Sequence, residues 1–513
     1  MATGTRVVET TFGPVRGTDH GDIAVWKGIP YAAPPVGGLR FRAPEPPQRW
    51  TEVADATSFG PACPQPTFPN MPLDLCAAQD EDCLRLNVWA PAGAAPGDGK
   101  PVMVWLHGGA YVLGSASQAL YDGRRLADAG VVVVTVNYRL GALGFLDLSS
   151  LGTARRRFDS NIGLLDVLAA LRWVRDNIAA FGGDPRRVTV FGESAGAGIV
   201  TTLLAVPAAE GLFAGAIAQS SPATSVYDKD RARRVAASFL DKLAIAPSDA
   251  DRLIEAPIAA LVKATQQVFD EVPVSNPGTL AFVPIVDGDL LQDYPVKVAQ
   301  AGRSHPVPLI IGTNRREAAL FRLMRSPLMP ITPRAITSMF TQIAAEQPDL
   351  RLPTQEQIVS AYSRMGRRAR VLRIATDVGF RMPSVWLAEG HSKVAPVYLY
   401  RFDYATPMLK ALLVGPAHAT ELPYVWGNLG APGDPTLRLG GARTARAVSK
   451  RVRTRWTNFA TRGEPVGLTG EPVWTPYRKS DRACLLIDKR DTVSGYVDAH
   501  IRAAWGNEMV SFR

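Results

Sequence analysis

The chain has 513 residues, of which 46% are hydrophobic and 20% are charged. These proportions are ordinary for a folded globular protein and exclude a disordered one. Its 57 Lys and Arg against 47 Asp and Glu give a formal net charge of +10, but the basic residues are scattered and not interleaved with aromatic residues, so we expect no nucleic-acid partner.

No stretch of the sequence is apolar for long enough to span a membrane, and the longest, residues 130–136, has the length of a strand. The first residues lack the pattern of a secretion signal, so we expect a cytoplasmic chain, or a secreted one if a leader was removed. We expect a monomer by default.

The four cysteines are not spaced as a C-x-x-C pair, and we expect neither a metal site nor a cofactor.

In the first half of the chain, the hydrophobic pattern changes near residue 84. Residues 5–31 hold short β-rich segments broken by Gly and Pro, which predict an antiparallel hairpin at a sheet edge. Runs at 86–89, 102–106 and 131–136 are almost continuously apolar, as in strands buried on both faces. Helices are predicted over 117–129 and, most clearly, over 161–181, so strands and helices alternate as in a mostly parallel sheet.

In the second half, strands are predicted at 188–191, 213–219, 307–311, 396–402 and 483–487, with a long basic helix over 443–461. Two blocks, about 225–280 and 332–390, have helical periodicity and no strand signal. They are typical of insertions that cover one end of a sheet and wall a substrate cavity. We therefore expect residues 1–513 to form a single α/β domain, despite its length.

The most informative motif is Gly192-Glu193-Ser194-Ala195-Gly196, which matches the G-x-S-x-G nucleophile elbow. Such a pentapeptide also arises by chance in chains rich in Gly and Ala. Here an apolar strand precedes it and a helical segment follows it, which is the context that the elbow requires. A serine on a sharp strand-to-helix turn stands clear of the backbone, so we predict that Ser194 is a nucleophile.

A serine nucleophile needs a histidine base. Where the serine lies on a strand-to-helix elbow, the histidine follows it in the chain. Of the six histidines, two precede the serine, one lies ahead of a strand rather than behind it, and two fall in predicted helices. These are, in that order, His20, His107, His305, His391 and His500. His418 remains, in a loop after the strand at 396–402. A lone loop histidine is often only a surface residue, but this position favours the role of base.

The acid of the triad must follow a strand between the serine and the histidine. Glu317 is the first carboxylate after the strand that begins at residue 307. The alternative, Asp287, lies in a turn. An aspartate is favoured there because its side chain bonds to the turn backbone, whether or not it is catalytic. Glu317 could also pair with Arg315 and Arg316 at the surface, but its place after the strand favours it as the acid.

An oxyanion hole is the third requirement. His107-Gly108-Gly109-Ala110 follows the strand at 102–106 and matches the HGG-type loop that supplies backbone N–H donors. Ala195, directly after the nucleophile, supplies another donor. A plain turn at the end of a strand would not need the histidine and both glycines together.

Further segments extend this pattern over nearly the whole chain. They are GIPYA at 28–32, EDCLRLNV at 81–88, NYRLG at 137–141, NIGLLD at 161–166, FGGDP at 181–185, GTN at 312–314 and HATEL at 418–422. Together with the HGGA and FGESAG motifs, they make the sequence closely similar to the type B carboxylesterases. That family includes bacterial para-nitrobenzyl esterases, animal carboxylesterases and cholinesterases.

The resemblance implies an α/β-hydrolase fold, a triad of Ser194, Glu317 and His418, and oxyanion donors from Gly108, Gly109 and Ala195. It also implies that Glu193 and Ser220 are buried supporting residues beside the triad. In relatives, the cysteine that matches Cys83 forms a disulfide with an earlier one, which favours Cys63 as the partner, although the extra Cys76 leaves the pairing open. Relatives usually have an acidic residue and a glycine where this chain has Arg316 and Ala318.

The sequence is compatible with three functions. The first is hydrolysis of small-molecule carboxylic esters through an acyl-enzyme. The second is hydrolysis of carbamates or amides by the same triad, which differs mainly in leaving-group protonation and pocket shape. The third is a non-catalytic binding module of the same fold, which the three intact triad residues argue against. The substrate itself depends on pocket walls that the sequence does not place.

Overall fold

The structure is a computed structural model, and it describes residues 4–68, 73–153, 156–430 and 436–513. These residues form one mixed sheet of 13 strands, in the order β1-β2-β3-β5-β7-β6-β8-β9-β10-β11-β12-β13 with β4 beside β2. The strands are β1 Gly4–Glu9, β2 Pro14–Asp19, β3 Ile23–Pro30, β4 Ala54–Asp55, β5 Arg85–Pro91, β6 Lys100–Leu106, β7 Val132–Val136, β8 Gly183–Glu193, β9 Gly215–Gln219, β10 Leu309–Asn314, β11 Val397–Phe402, β12 Cys484–Ile487 and β13 Thr492–Ser494.

The centre of the sheet, from β7 through β12, is parallel throughout. The pairs β1–β2, β2–β3, β3–β5 and β5–β7 are antiparallel, so the N-terminal strands extend the sheet at one edge as an antiparallel meander. The predicted fold class, a mostly parallel sheet flanked by helices, is confirmed. Parallel strands covered by helices on both faces lose their contact with water, which explains the continuous apolar runs in the sequence.

Helices cover both faces of this sheet. They are α1 Arg124–Ala127, α2 Gly141–Phe145, α3 Ile162–Asn177, α4 Ala195–Leu203, α5 Lys229–Lys242, α6 Ile258–Ser275, α7 Pro295–Gln300, α8 Ala318–Leu323, α9 Pro333–Glu346, α10 Gln355–Ser360, α11 Arg367–Thr376, α12 Met382–His391, α13 Pro407–Ala411, α14 Leu422–Trp426, α15 Ala442–Arg462 and α16 Ala499–Trp505. Within the described ranges, no helix combines the length and the hydropathy that crossing a bilayer requires.

Alternate residues of β6 enter two separate buried clusters, one on each face of the sheet. Val104 packs in the cluster that also holds Leu164 of α3 and Val200 of α4. Its neighbour Trp105 packs in the cluster that holds Trp426, at the end of α14, with ring centroids 5.2 Å apart. Because successive side chains of a strand point to opposite faces, one short apolar run anchors both helical layers.

Two helical expectations have different outcomes. The helix predicted over 161–181 is present as α3, continued by a 3-10 turn over Ile178–Phe181 and ended by Gly182 at a φ of +84°. The helix predicted over 117–129 is wrong. That segment holds only a 3-10 turn at Ala119–Tyr121 and the single turn α1, because Asp122 and Gly123 interrupt it.

The two blocks that the sequence marks as insertions are helical in the structure. Helices α5 and α6 lie in the first, and α9 to α12 lie in the second. Between α11 and α12 the chain makes a π-helical turn at Asp377–Arg381, a local expansion frequent at functional sites. This turn carries Phe380, whose ring centroid lies 4.5 Å from that of His418.

The disulfide that the resemblance implies between Cys63 and Cys83 is not formed. Both residues are buried free thiols, and Cys76 is a free thiol at the surface. A hydrogen bond between the Cys63 and Cys83 side chains, together with burial, raises the pKa of Cys83 well above its usual value. The Cys63 sulfur also accepts a hydrogen bond from the Leu140 amide at 3.2 Å.

Candidate active site

Ser194 stands on the turn between β8 and α4. Its backbone has φ +55° and ψ −123°, a strained conformation for a residue with a side chain. The turn is tight because a Cβ on Gly192 would lie 2.8 Å from the Leu106 carbonyl oxygen, and one on Gly196 would collide with the same atom. Ser194 is half-buried while its neighbours in the turn are buried, so the hydroxyl is presented outward.

His418 contacts both Ser194 and Glu317. Its Nε2 lies 2.8 Å from Ser194 Oγ, and its Nδ1 lies 2.8 Å from Glu317 Oε2. The three residues come from three separate loops that follow β8, β10 and β11. The carboxyl ends of these parallel strands meet at one edge of the sheet, which is how residues 101 and 224 positions apart come together.

Glu317 is fully buried and held on its second oxygen. Its Oε1 accepts hydrogen bonds from the Asn314 amide at 2.5 Å and from Ser220 Oγ at 2.6 Å. The rival carboxylate Asp287 lies in a different place, where it binds the Asn161 side chain at 2.7 Å and the backbone of its own turn. The predicted supporting residue Ser220 therefore fixes the carboxylate that contacts His418.

The ring of His418 packs against a stacked pair of aromatic rings, whose centroids lie 6.1 Å apart. Phe321 and Phe380 lie 5.1 and 4.5 Å from it, centroid to centroid. Phe321 belongs to α8, which follows β10, and Phe380 belongs to the π-helical turn in the second helical block. The sequence alone does not show that these two segments meet at His418. They give the imidazole an apolar contact surface in addition to its polar partners.

Glu193 is the second predicted supporting residue, and it lies beside the same ring nitrogen that contacts Ser194. Its Oε1 is 3.2 Å from His418 Nε2 and forms no hydrogen bond with the described residues. Burial raises the pKa of Glu193 to about 8. Burial lowers the pKa of His418, but the carboxylates of Glu193 and Glu317 outweigh this effect and raise it to about 9.

A third buried carboxylate, Glu421, lies behind the triad acid and was not assigned a role from the sequence. It accepts hydrogen bonds from Asn314 Nδ2 at 2.5 Å and from Gln219 Nε2 at 3.3 Å. Burial and the nearby Glu317 raise its pKa to about 7. Its position three residues after His418, in a loop that enters α14, is the signal that could have identified it.

The two glycines of the HGG loop lie against the nucleophile. A Cβ on Gly108 would lie 2.8 Å from Glu193 Oε2 and 3.1 Å from the Ser194 Cβ. Gly109 has a φ of +120°, and a Cβ there would collide with the Leu113 carbonyl oxygen. Neither glycine amide donates a hydrogen bond to another described residue. Both amides therefore keep their donor capacity, close to the nucleophile turn.

His107 fixes this loop and takes no part in the relay. Burial lowers the pKa of His107 to about 4, so its ring is neutral at neutral pH. Its Nδ1 donates to the Gly108 carbonyl oxygen at 2.9 Å, and the ring stacks on Tyr138 at 4.6 Å. The Tyr138 hydroxyl in turn donates to the His107 carbonyl oxygen at 2.6 Å.

Two of the other histidines, His305 and His391, have structural contacts. His305 Nε2 donates to the Val206 carbonyl oxygen at 2.7 Å, and His391 binds Ser304 Oγ and the Val307 carbonyl oxygen. Within the described part of the chain, no group of three or more His, Cys, Asp or Glu side chains is arranged to hold a metal ion.

Comparison with known proteins gives consistent matches over the whole chain. A family model described as the carboxylesterase family matches residues 4–505. The chain is 41% identical to a para-nitrobenzyl esterase of Bacillus subtilis, over 95% of this chain and 96% of that protein. It is 35% identical to a fumonisin B1 esterase of Sphingopyxis macrogoltabida, over 90% of this chain and 82% of that protein.

Solved structures match equally broadly. A para-nitrobenzyl esterase superposes with a TM-score of 0.82 at 37% identity, covering 98% of this chain and 99% of that one. A carboxylesterase of Geobacillus stearothermophilus superposes with a TM-score of 0.83 at 37% identity, covering 97% and 99%.

Proposed function

The chain belongs to the carboxylesterase family and has its α/β-hydrolase fold, and we propose that it cleaves carboxylic esters through an acyl-enzyme on Ser194. It is a carboxylic ester hydrolase by this family membership. The assignment of the catalytic residues is our proposal, and the contacts of His418 with both Ser194 and Glu317 are the observation that carries it.

In the first step, Ser194 Oγ attacks the ester carbonyl carbon. His418 Nε2 takes the hydroxyl proton, because Nδ1 is engaged with the Glu317 carboxylate and Nε2 is left to accept. Glu317 holds the imidazole in this orientation and stabilises the imidazolium that forms. His418 then gives the proton to the departing alcohol.

The negative charge that develops on the substrate oxygen needs donors fixed in advance. We assign this role to the amides of Gly108, Gly109 and Ala195, which flank Ser194. Donors in place before the reaction need no reorganisation, and removing one typically costs a hundredfold to a thousandfold in turnover.

In the second step, water attacks the acyl group and His418 acts again as base and then as acid. Ser194 is regenerated and the carboxylic acid is released. All of these groups belong to a single chain, which supports the proposal that the monomer is active and that no cofactor takes part.

The substrate class follows from the family and from the helical blocks. We propose small-molecule esters, with the cavity walled by the blocks at about 225–280 and 332–390. Phe380, which lies in the second block and packs on His418, supports this arrangement because it brings that block to the proposed base.

The test compares turnover on matched ester, carbamate and anilide substrates by the wild type and by Ser194→Ala. We expect the ester to be cleaved fastest, with an initial burst of alcohol release that Ser194→Ala abolishes. A Ser194→Ala variant with most of the wild-type rate would disprove the nucleophile. A wild type that prefers the anilide would disprove the substrate class.

A further inference from the structure

A surface patch next to the proposed triad combines basic and apolar side chains. We call it the basic–apolar patch, and it consists of Arg316, Arg322, Leu323, Arg368, Leu412 and Leu413. All six residues line one open groove of about 560 Å³ between α8, α11 and the segment that follows α13. Two smaller grooves share lining residues with it, one of them Arg316 and the other Arg368.

The leucines of the patch are unusually exposed. Leu323 is 59% exposed, Leu412 is 53% exposed and Leu413 is 78% exposed. Leu413 also has a φ of +58°, in the left-handed position just beyond α13 where glycine is usual. A large apolar side chain that is turned to solvent gains little from burial, and in a group of three it points to an interaction.

The arginines of the patch differ in ion pairing from the neighbouring arginines Arg315 and Arg373. Arg315 pairs with Asp403 at 3.8 Å, and Arg373 pairs with Asp377 and Asp498 at 3.0 and 2.6 Å. The nearby acidic groups are therefore already neutralised. Among the residues that the structure describes, none of the three patch arginines forms an ion pair, and all three are exposed. The patch thus presents uncompensated positive charge around its leucines.

We propose that the basic–apolar patch docks the protein on an anionic lipid surface. The leucines come from two separate elements and can enter the acyl boundary together, since a fluid interface needs no complementary shape. The guanidinium groups remain at the level of the lipid phosphates, which they bind as bidentate donors. A second copy of this chain fits less well, because a symmetric contact through this face would oppose arginine to arginine.

The patch is connected directly to the segments that carry the proposed acid and base. Arg316 immediately precedes Glu317, and its amide donates to the Pro416 carbonyl oxygen at 2.9 Å, two residues before His418. Docking would therefore hold this part of the enzyme at an interface in which lipophilic esters dissolve. Lipid binding is nevertheless independent of catalysis, and it is measured without substrate.

The experiment is co-sedimentation of the full chain with vesicles of phosphatidylcholine alone or of equal parts phosphatidylcholine and phosphatidylglycerol. We expect binding to the anionic vesicles only, and weakening as salt is added. Arg322→Gln with Arg368→Gln should weaken binding by about 25-fold, at roughly fivefold per arginine. Leu412→Ser with Leu413→Ser should also lower binding, at unchanged hydrolysis of a water-soluble ester.

Matched controls lie elsewhere on the surface. Arg443→Gln with Arg446→Gln removes the same charge from the exposed side of α15, and Val473→Ser removes an apolar side chain that is 81% exposed. Both should bind like the wild type. Equal losses in the controls and the patch variants would overturn the proposal, as would absence of binding to anionic vesicles. Salt-sensitive binding of poly-glutamate without vesicle binding would overturn it in favour of an acidic protein partner.

Discussion

Glu193 Oε1 lies 3.2 Å from His418 Nε2, the same nitrogen that contacts Ser194 Oγ. A buried carboxylate at this distance stabilises the imidazolium, and it contributes to raising the pKa of His418 to about 9. In the proposed mechanism only the neutral imidazole can take the serine proton. Glu193, together with Glu317, therefore raises the pH at which the base becomes available.

Replacing Glu193 by Gln removes this charge, so the pKa of His418 should fall. Activity requires the deprotonated base and rises with pH through its pKa. The rising acidic limb of kcat/KM should accordingly move to lower pH in Glu193→Gln. A pH profile on a water-soluble ester measures this shift, with Glu210→Gln, an exposed glutamate, as the control. An acidic limb that stays in place or moves upward would contradict the assignment.

Gly108→Ala tests the oxyanion loop. The added Cβ would lie 2.8 Å from Glu193 Oε2 and 3.1 Å from the Ser194 Cβ, so the loop must move away from the nucleophile. We expect kcat to fall at least about a hundredfold. Gly38→Ala is the control, because that glycine is exposed and its Cβ would meet no atom within 4 Å. Near-normal turnover in Gly108→Ala would remove Gly108 from the proposed hole.

Ser220→Ala tests how Glu317 is held. The variant loses one of the two hydrogen bonds to Glu317 Oε1 and keeps that of the Asn314 amide. A hydrogen bond to a charged group contributes about 1.5 kcal/mol, so we expect roughly a tenfold loss of kcat with little change in KM. The adjacent Ser221 binds Thr201 and Ala197 instead, and Ser221→Ala should keep its kcat. Equal effects of both variants would show a structural role only.

Asp498 tests the electrostatics of the scaffold away from the triad. It pairs with Arg373, Arg401 and Arg381 at 2.6, 3.1 and 3.4 Å. Burial raises its pKa, but the arginines outweigh burial and lower it to about 2. Arg373 and Arg401 each have a second carboxylate partner, whereas Arg381 pairs with Asp498 alone among the described residues. Asp498→Asn therefore leaves the buried Arg381 without its ion pair and should lower the free energy of unfolding by about 3 kcal/mol at neutral pH.

The same prediction has a pH dependence. A carboxylate with a depressed pKa stabilises the fold above its usual pKa of about 4 and loses this contribution as pH falls towards 2. The difference between wild type and Asp498→Asn in denaturant unfolding should therefore shrink as pH falls from about 4. Asp176→Asn, in an exposed pair, should change stability by less than about 1 kcal/mol. A constant difference across this range would contradict the account.

The sequence predicts the parallel sheet and the residues that meet at its edge, because both follow from short-range patterns. Apolar runs predict the buried strands, and the order serine, acid, histidine selects His418 from six candidates. The predicted helix at 117–129 was wrong, because Asp122 and Gly123 divide the segment into a 3-10 turn and a single α-helical turn. The Cys63–Cys83 disulfide was inferred by resemblance, whereas the structure holds two packed thiols.

Other parts of the site depend on packing between distant segments. Phe321 and Phe380 pack against His418 from elements whose relative position no local pattern determines. The basic–apolar patch likewise combines α8, α11 and the segment after α13. The exposure of its leucines follows from the folded structure and from no pattern in the sequence.

The most direct test of the account is covalent labelling by a fluorophosphonate probe, followed by peptide mass spectrometry. Such a probe reacts with a serine that a neighbouring base activates. We predict one labelled peptide that carries the adduct on Ser194, no adduct in Ser194→Ala, and strongly slowed labelling in His418→Ala. An adduct on another serine, or undiminished labelling of Ser194 in His418→Ala, would contradict the proposed relay.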